Sequence, residues 1–226
     1  MCYINGERNS GTNFLYMLMR KHRVPVFDGL CVGQLSLLWR HGYPSKKTKL
    51  IAGKVVNILI IRDLDEWLVS MYHTPYYLYV DRTYTLGVFL TAKQKLSGES
   101  DVPVNYKNNK VLNYTDENKT IFEIRYNKIK SYLNFFNKNE NVVIVRLKYL
   151  QNEQNCVHFM QKLSEKYGLN IDEFHGCINE HTKTNEPGLK NRVHPIKITP
   201  LDRCIINMFK NKDIEDYVSN LTFEMK

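Results

Sequence analysis

The sequence of this 226-residue chain predicts an α/β fold with a central parallel sheet flanked by helices. Three observations indicate it. Short apolar runs alternate with helical patterns, the longest run is β-branched like a strand buried on both faces, and a glycine-bearing loop directly follows the first strand. A chain of this length can bury a full core, so we expect one domain over residues 1–226.

The first half of the chain gives two strand–helix pairs. Residues 2–4 are typical of a short strand, and residues 12–22 have helical spacing. Residues 55–61 ("VVNILII") form the β-branched run that predicts a buried strand, and residues 65–72 predict the helix that follows it. The repeated order of strand and helix favours parallel strands with helices between them.

The second half continues the alternation after an excursion. Residues 97–119 are rich in Asn, Asp, Lys and Ser and are interpreted as a loop. Residues 121–136 predict a helix and residues 142–145 a buried strand. A further helix is expected over residues 157–167, because Gly168 follows it as a C-terminal cap would.

Composition narrows the class of protein and of partner. The hydrophobic fraction of 43% and the aromatic fraction of 12% fit a globular chain, and the net charge of +9 favours anionic partners. No apolar run is long enough to span a bilayer and no secretory signal is apparent, so a cytoplasmic location without a membrane segment is expected. The five cysteines are scattered without a C-x-x-C pair, which favours reduced, buried thiols over a zinc site.

The stretch "INGERNSGTNFLYMLM", residues 4–19, has the outline of a phosphate-binding loop. Gly6 and Gly11 have the spacing of the two glycines in the ATP-binding loop, but Thr12 stands where that loop has lysine and Asn13 where it has a metal-binding hydroxyl. Backbone amides at the helix N-terminus can still hold a phosphate. We therefore expect a phosphate ligand without a metal-bound triphosphate; a plain strand-to-helix turn is the alternative.

A second anion site is indicated at the end of the long apolar strand. Arg62 ends that strand, and Ser70 follows eight residues later within the next helix. Ligands bind at the carboxyl ends of parallel strands, where an arginine and a hydroxyl can grip an anion. The alternative is a surface arginine paired with Asp63 or Asp65.

These two motifs together resemble the sulfotransferases that use 3′-phosphoadenosine-5′-phosphosulfate (PAPS). Residues 9–14 ("NSGTNF") are similar to the family's phosphosulfate loop, and residues 141–169 are similar to a later strand, turn and helix ending in "GL". The family's 3′-phosphate motif, an arginine followed by Ser-x-Tyr-His, is matched in spacing and order by Arg62, Ser70, Tyr72 and His73. The resemblance implies a three-layer P-loop-type fold and covers residues 3–169.

The resemblance also implies which residues contact the donor. The loop would hold the 5′-phosphate, Phe14 would pack on the nucleotide, and a weak match near residue 190 would close over the 3′-phosphate. The implied donor-binding residues are Asn9, Ser10, Gly11, Thr12, Asn13, Phe14, Arg62, Ser70, Lys190 and Arg192. No metal is expected, because the donor carries no triphosphate.

Sulfuryl transfer also needs a base and a positive charge at the leaving phosphate. His41 lies in "LLWRHGYP", in the interval where the family has its catalytic histidine, and is our choice of base; His22, His73 and His181 are weaker candidates. The family's loop lysine corresponds to Asn9, so Arg8 is expected to supply the missing charge, or else Arg40. A structural loop histidine is the alternative reading of His41.

The function expected is sulfuryl transfer from PAPS to a hydroxyl or amine of an acceptor that the sequence does not identify, with a saccharide as one candidate. Two alternatives stay open: a catalytically silent nucleotide-binding protein, and a P-loop kinase or ATPase. Nucleic acid is not an expected partner, because the aromatic residues follow core periodicity and no base-stacking motif is present.

Overall fold

The structure is a computed structural model. It describes residues 1–7, 9–27, 41, 43–44, 53–73, 85–93, 104–105, 110–111, 119–171 and 196–226. Within these ranges, none of the helices combines the length and the apolar character that crossing a membrane requires.

The described residues form a mixed α/β fold. The strands are β1 (Cys2–Gly6), β2 (Val56–Ile61), β3 (Val104–Asn105), β4 (Lys110–Val111), β5 (Val142–Arg146) and β6 (Phe223–Met225). The helices are α1 (Thr12–Lys21), α2 (Leu64–His73), α3 (Leu86–Thr91), α4 (Ile121–Lys138), α5 (Leu147–Leu150), α6 (Glu153–Tyr167), α7 (Pro200–Phe209) and α8 (Lys212–Asn220). The strands and helices predicted outside residues 97–119 are confirmed, with small shifts at their ends.

The main sheet has four strands in the order β1-β2-β5-β6. β1, β2 and β5 are parallel, with Gly6 opposite Ile60 and Ile61 opposite Arg146. β6 returns antiparallel to β5. The carboxyl ends of β1, β2 and β5 therefore meet at one edge of the sheet, where the loop after β1 and Arg62 also lie. The β3–β4 pair forms a separate two-stranded sheet within residues 97–119, which corrects the loop prediction at residues 104–105 and 110–111.

Both faces of the sheet are covered by apolar side chains. On one face, Ile4, Ile58 and Val145 pack with side chains of α1 and α6. On the other, Leu59 and Ile144 pack with side chains of α4 and α8. Alternate residues of each strand thus enter different cores, which explains why the strand sequences are apolar throughout.

The helix ends follow local capping rules. Thr120 and Glu123 form a capping box at the start of α4, and Thr199 forms another with Asp202 at the start of α7. Gly168 ends α6 with φ 59°, as the sequence predicts. Among the described cysteines, Cys2 and Cys156 are buried as expected, but Cys204 is exposed, which corrects that part of the prediction.

Candidate functional site

The loop between β1 and α1 requires both of its glycines. A Cβ on Gly6 would lie 2.6 Å from the Ile60 carbonyl oxygen and 2.5 Å from the Ser10 Oγ. Gly11 has φ 103°, a conformation that side chains disfavour, and a Cβ there would lie 2.7 Å from Leu147 Cδ1. The loop is therefore pressed closely against β2 on one side and against the residue that follows β5 on the other.

The N-terminus of α1 opens directly from this loop. Gly11 is the N-cap residue; no side chain caps the helix, and its first turn carries no acidic residue. The first amides of a helix have no acceptor within the helix, so they can donate to an anion. Thr12 is buried, Phe14 packs partly against the core, and Asn13 is exposed.

The side chain of Asn9 fastens the loop to α2. Asn9 has φ 61°, a left-handed conformation that asparagine tolerates better than most residues. Its amide nitrogen donates to the Ser70 carbonyl oxygen at 3.3 Å and lies 3.2 Å from the Met71 sulfur. The structure thus brings the loop beside Ser70 and turns the Asn9 side chain toward α2.

Arg62 lies against the same loop. Its Nη1 donates to the Asn9 carbonyl oxygen at 3.1 Å, and its Nε donates to Glu66 at 3.3 Å. A guanidinium has five N–H groups, so these two contacts leave donors for a further anion. Neither Asp63 nor Asp65 takes Arg62 as a partner: Asp63 pairs with Arg146 and Asp65 with Arg203.

The Ser10 hydroxyl is turned inward. Ser10 is fully buried, and its Oγ makes no hydrogen bond within the part of the chain that the structure describes. A buried hydroxyl without a partner is energetically costly, so its occurrence in this turn singles out the loop. The Ser10 amide, in contrast, closes a turn by donating to the Glu7 carbonyl oxygen.

His41 also reaches the end of β1. Its Nδ1 lies 3.2 Å from the Gly6 carbonyl oxygen, and only 8% of its surface is exposed. A carbonyl oxygen can only accept, so Nδ1 carries the proton and Nε2 is the basic nitrogen of the neutral ring. The buried Lys128 donates to the His41 carbonyl oxygen at 3.0 Å and holds this residue beside the loop.

A buried ion cluster lies beneath the loop. Arg125 of α4 donates to Glu7 Oε2 at 2.7 Å and to both carboxylate oxygens of Glu215 at 2.8 and 2.9 Å. Its Nη2 also donates to the Arg62 carbonyl oxygen at 2.8 Å, and its guanidinium lies 5.0 Å from the centre of the Trp67 ring.

This cluster was not among the sites predicted from the sequence. A signal was present: Arg125 lies four residues from both Ile121 and Ile129, so a charge stands on the apolar face of α4. Nothing in the sequence, however, names the carboxylates that it meets.

Burial shifts the ionisation of the cluster. Loss of solvent raises the pKa of Glu7 from 4.5 to about 7; Arg125 opposes the rise and Glu215 reinforces it. Burial alone would lower the pKa of Arg125, but the two carboxylates raise it above its ordinary value. Arg125 therefore stays charged, whereas Glu7 titrates near neutral pH.

The third parallel strand adds further charges to this edge. Arg146 ends β5 and forms a two-pronged ion pair with Asp63, at 2.5 and 2.7 Å. The exposed Lys148 lies 3.9 Å from Asp63. Asp63 balances the charge of Arg146, so the groups of this edge that are suited to anion binding are Arg62, the exposed Lys148 and the α1 amides.

Some predicted site residues fall beyond the structural description. Arg8, Arg40, Lys190 and Arg192 lie outside the described residues, as do Trp39 and His181. Among the residues that are described, no group of three metal-binding side chains occurs.

The structure brings together seven of the remaining candidates, all on the first loop and helix or at the end of β2: Asn9, Ser10, Gly11, Thr12, Asn13, Phe14 and Arg62. It also places Ser70 and His41 beside the same loop. The carboxyl ends of two adjacent parallel strands thus hold a group of donors that an anionic ligand could bridge.

Comparison of the chain with protein-family models, curated proteins and solved structures finds no significant match.

Proposed function

We propose that this protein is a sulfotransferase that moves a sulfuryl group from PAPS to a hydroxyl or amine of an acceptor. The observation that carries the proposal is the contact between Arg62 Nη1 and the Asn9 carbonyl oxygen at 3.1 Å. It joins the two segments that, by resemblance, would bind the 5′- and 3′-phosphates of one nucleotide. The fold we propose is accordingly of the three-layer P-loop type.

The loop would bind the 5′-phosphate without a metal. Gly6 and Gly11 let the loop pack closely against Ile60 and Leu147, and the uncapped amides of α1, which follow this loop, would supply the donors. Arg62 and Ser70 would bind the 3′-phosphate. Glu66, which pairs with Arg62, would have to give up part of this contact to a more highly charged anion.

His41 would act as the base. Its Nδ1 hydrogen bond to the Gly6 carbonyl oxygen places the ring proton on Nδ1, so Nε2 would be the nitrogen that takes the proton of the acceptor hydroxyl. The contact between Lys128 and the His41 carbonyl oxygen fixes the backbone of this residue next to the phosphate loop. When bound, the donor supplies an activated sulfuryl group whose leaving group is a phosphate, and the acceptor attacks in line with it.

A catalytically silent nucleotide-binding protein is the second candidate. The observation in its favour is the Asn9 amide, which contacts α2 and leaves the position of the family's loop lysine without a charge. A kinase or ATPase is a poorer proposal for a different reason: Thr12 stands where these enzymes need a lysine, and Asn13 stands where they need a metal-binding hydroxyl.

Thermal unfolding with nucleotides tests the binding site. We expect 3′-phosphoadenosine 5′-phosphate, at about a hundred times its Kd, to stabilise the protein by about 2.7 kcal/mol and to raise Tm by several degrees. Arg62→Ala should lose most of this shift, because it removes the guanidinium that would bind the 3′-phosphate.

Arg203→Ala is the matched control. Arg203 is an exposed arginine paired with Asp65 of α2, and its replacement should leave the shift intact. Equal protection by AMP would overturn a 3′-phosphate site, and a larger, magnesium-dependent shift with ATP would favour a P-loop kinase or ATPase. A full shift with 3′-phosphoadenosine 5′-phosphate but no turnover of PAPS would favour the silent nucleotide-binding protein.

A further inference from the structure

Arg125 connects the loop after β1 and the end of β2, the two segments of the proposed nucleotide site, from the protein interior. It is fully buried, and its four hydrogen bonds reach Glu7 in the loop, the backbone of Arg62 at the end of β2, and Glu215 on α8. Its contact with Trp67 adds α2, the helix that carries Ser70. One side chain thus touches the loop after β1, the end of β2 and the helix α2.

These contacts close a ring. From Glu7 the chain runs two residues to Asn9, whose carbonyl oxygen accepts from Arg62 Nη1. The Arg62 carbonyl oxygen accepts from Arg125, and Arg125 pairs with Glu7. The loop and Arg62 are therefore held to each other twice, once directly at the surface and once through Arg125 in the interior.

The planar guanidinium suits this task. Its N–H groups point in fixed directions, so it can hold a carboxylate, a carbonyl oxygen and a second carboxylate at set angles. Lysine would keep the charge, but a single ammonium group on a flexible stem cannot reproduce that fork. Glu215 holds the opposite edge of the guanidinium with two further hydrogen bonds, which fixes the plane of the group.

We propose that Arg125 is a positioning residue that sets the spacing between the phosphate loop and Arg62, so that both grip one bisphosphorylated nucleotide at the same time. The inference rests on the proposed function. Its physical basis is that two linked contacts reinforce each other only when both can be made together, and this advantage is lost when the spacing is wrong.

The test measures discrimination between nucleotides. Calorimetry gives the Kd of 3′-phosphoadenosine 5′-phosphate, of AMP and of adenosine 3′-phosphate for wild type and for Arg125→Lys. The preference for the bisphosphate is the ratio of the Kd of each monophosphate to the Kd of 3′-phosphoadenosine 5′-phosphate. We expect this ratio to be about 10- to 100-fold smaller in Arg125→Lys than in the wild type, with the affinity for each monophosphate nearly unchanged. A role in stability alone would lower Tm without changing this ratio.

Lys130→Met is the control on the same helix, because Lys130 is exposed and its ammonium group donates to the hydroxyl of Tyr126, one turn earlier in α4. If Arg125→Lys does not fold, Glu215→Gln loosens the same guanidinium while leaving Arg125 in place, and it should lower the ratio to a smaller extent. An unchanged ratio in a folded variant would overturn the inference. A wild type without any preference for the bisphosphate would instead overturn the proposed function.

Discussion

Gly11→Ala is expected to lower the free energy of unfolding by about 2–5 kcal/mol, a large share of the stability of a single domain. Two costs add at this position. The backbone has φ 103°, and a left-handed conformation costs a residue with a Cβ about 1–2 kcal/mol. The new Cβ would also lie 2.7 Å from Leu147 Cδ1, and overpacking of this kind costs about 1–3 kcal/mol. Urea unfolding measures the change.

Other glycines of the chain separate these two costs. Gly168 has φ 59° but open space around it, so Gly168→Ala reports the backbone cost alone. Gly6→Ala reports the steric cost, because its Cβ would meet the Ile60 carbonyl oxygen at 2.6 Å. Gly53 has open space and is exposed, so Gly53→Ala should be nearly neutral. If Gly11→Ala were as mild as Gly53→Ala, the loop would not have the conformation described.

The second large effect is on the pH dependence of stability. The pKa of Glu7 is raised from 4.5 to about 7 in the folded protein, so between these values the folded state holds a proton that the unfolded state has lost. The contribution of Glu7 to the free energy of unfolding is therefore fully present below about pH 4.5 and is lost as the pH rises through 7. The shift corresponds to about 3 kcal/mol.

Glu7→Gln should remove this dependence, because glutamine imitates the protonated carboxyl at every pH. As the pH rises from 4.5 to 8, the free energy of unfolding of the variant should therefore increase by about 3 kcal/mol relative to that of the wild type. The measurement is urea unfolding of both proteins at a series of pH values.

Glu123→Gln provides a control of opposite sign. The pKa of Glu123 is lowered, chiefly by its hydrogen bond from the Thr120 amide, so its contribution is lost as the pH falls. Parallel pH profiles for wild type and Glu7→Gln would contradict the raised pKa of Glu7.

The sequence predicted β1, α1, β2, α2, α4, β5 and α6 because each carries a local signal, but it did not predict the short helices α3 and α5. The run "VVNILII" is apolar on both faces, and Gly168 adopts the left-handed cap conformation that its place after α6 predicted. α7, α8 and β6 were not predicted. β6 is only three residues long, and its pairing with β5 depends on a chain return that no local pattern encodes.

For the candidate site, the sequence identified the first loop, Arg62 and Ser70, because spacing along one strand–loop–helix unit survives folding. It did not identify Glu7, Arg125 or Glu215 as one cluster. Arg125 and Glu215 are 90 residues apart, and Arg125 and Glu7 are 118 residues apart.

By itself, then, the sequence determined three strands of the main sheet, the helices α1, α2, α4 and α6, and which residues follow the ends of β1 and β2. These properties depend on residues only a few positions apart in the chain, because hydrophobic periodicity and the backbone freedom of glycine determine local structure over that distance. Only the tertiary structure decided that Asn9 faces α2 and that His41 reaches Gly6. It also decided that Arg125 joins the loop after β1 to the residue that follows β2. Such contacts arise when parallel strands align their carboxyl ends, and they bring together side chains that are distant in the chain.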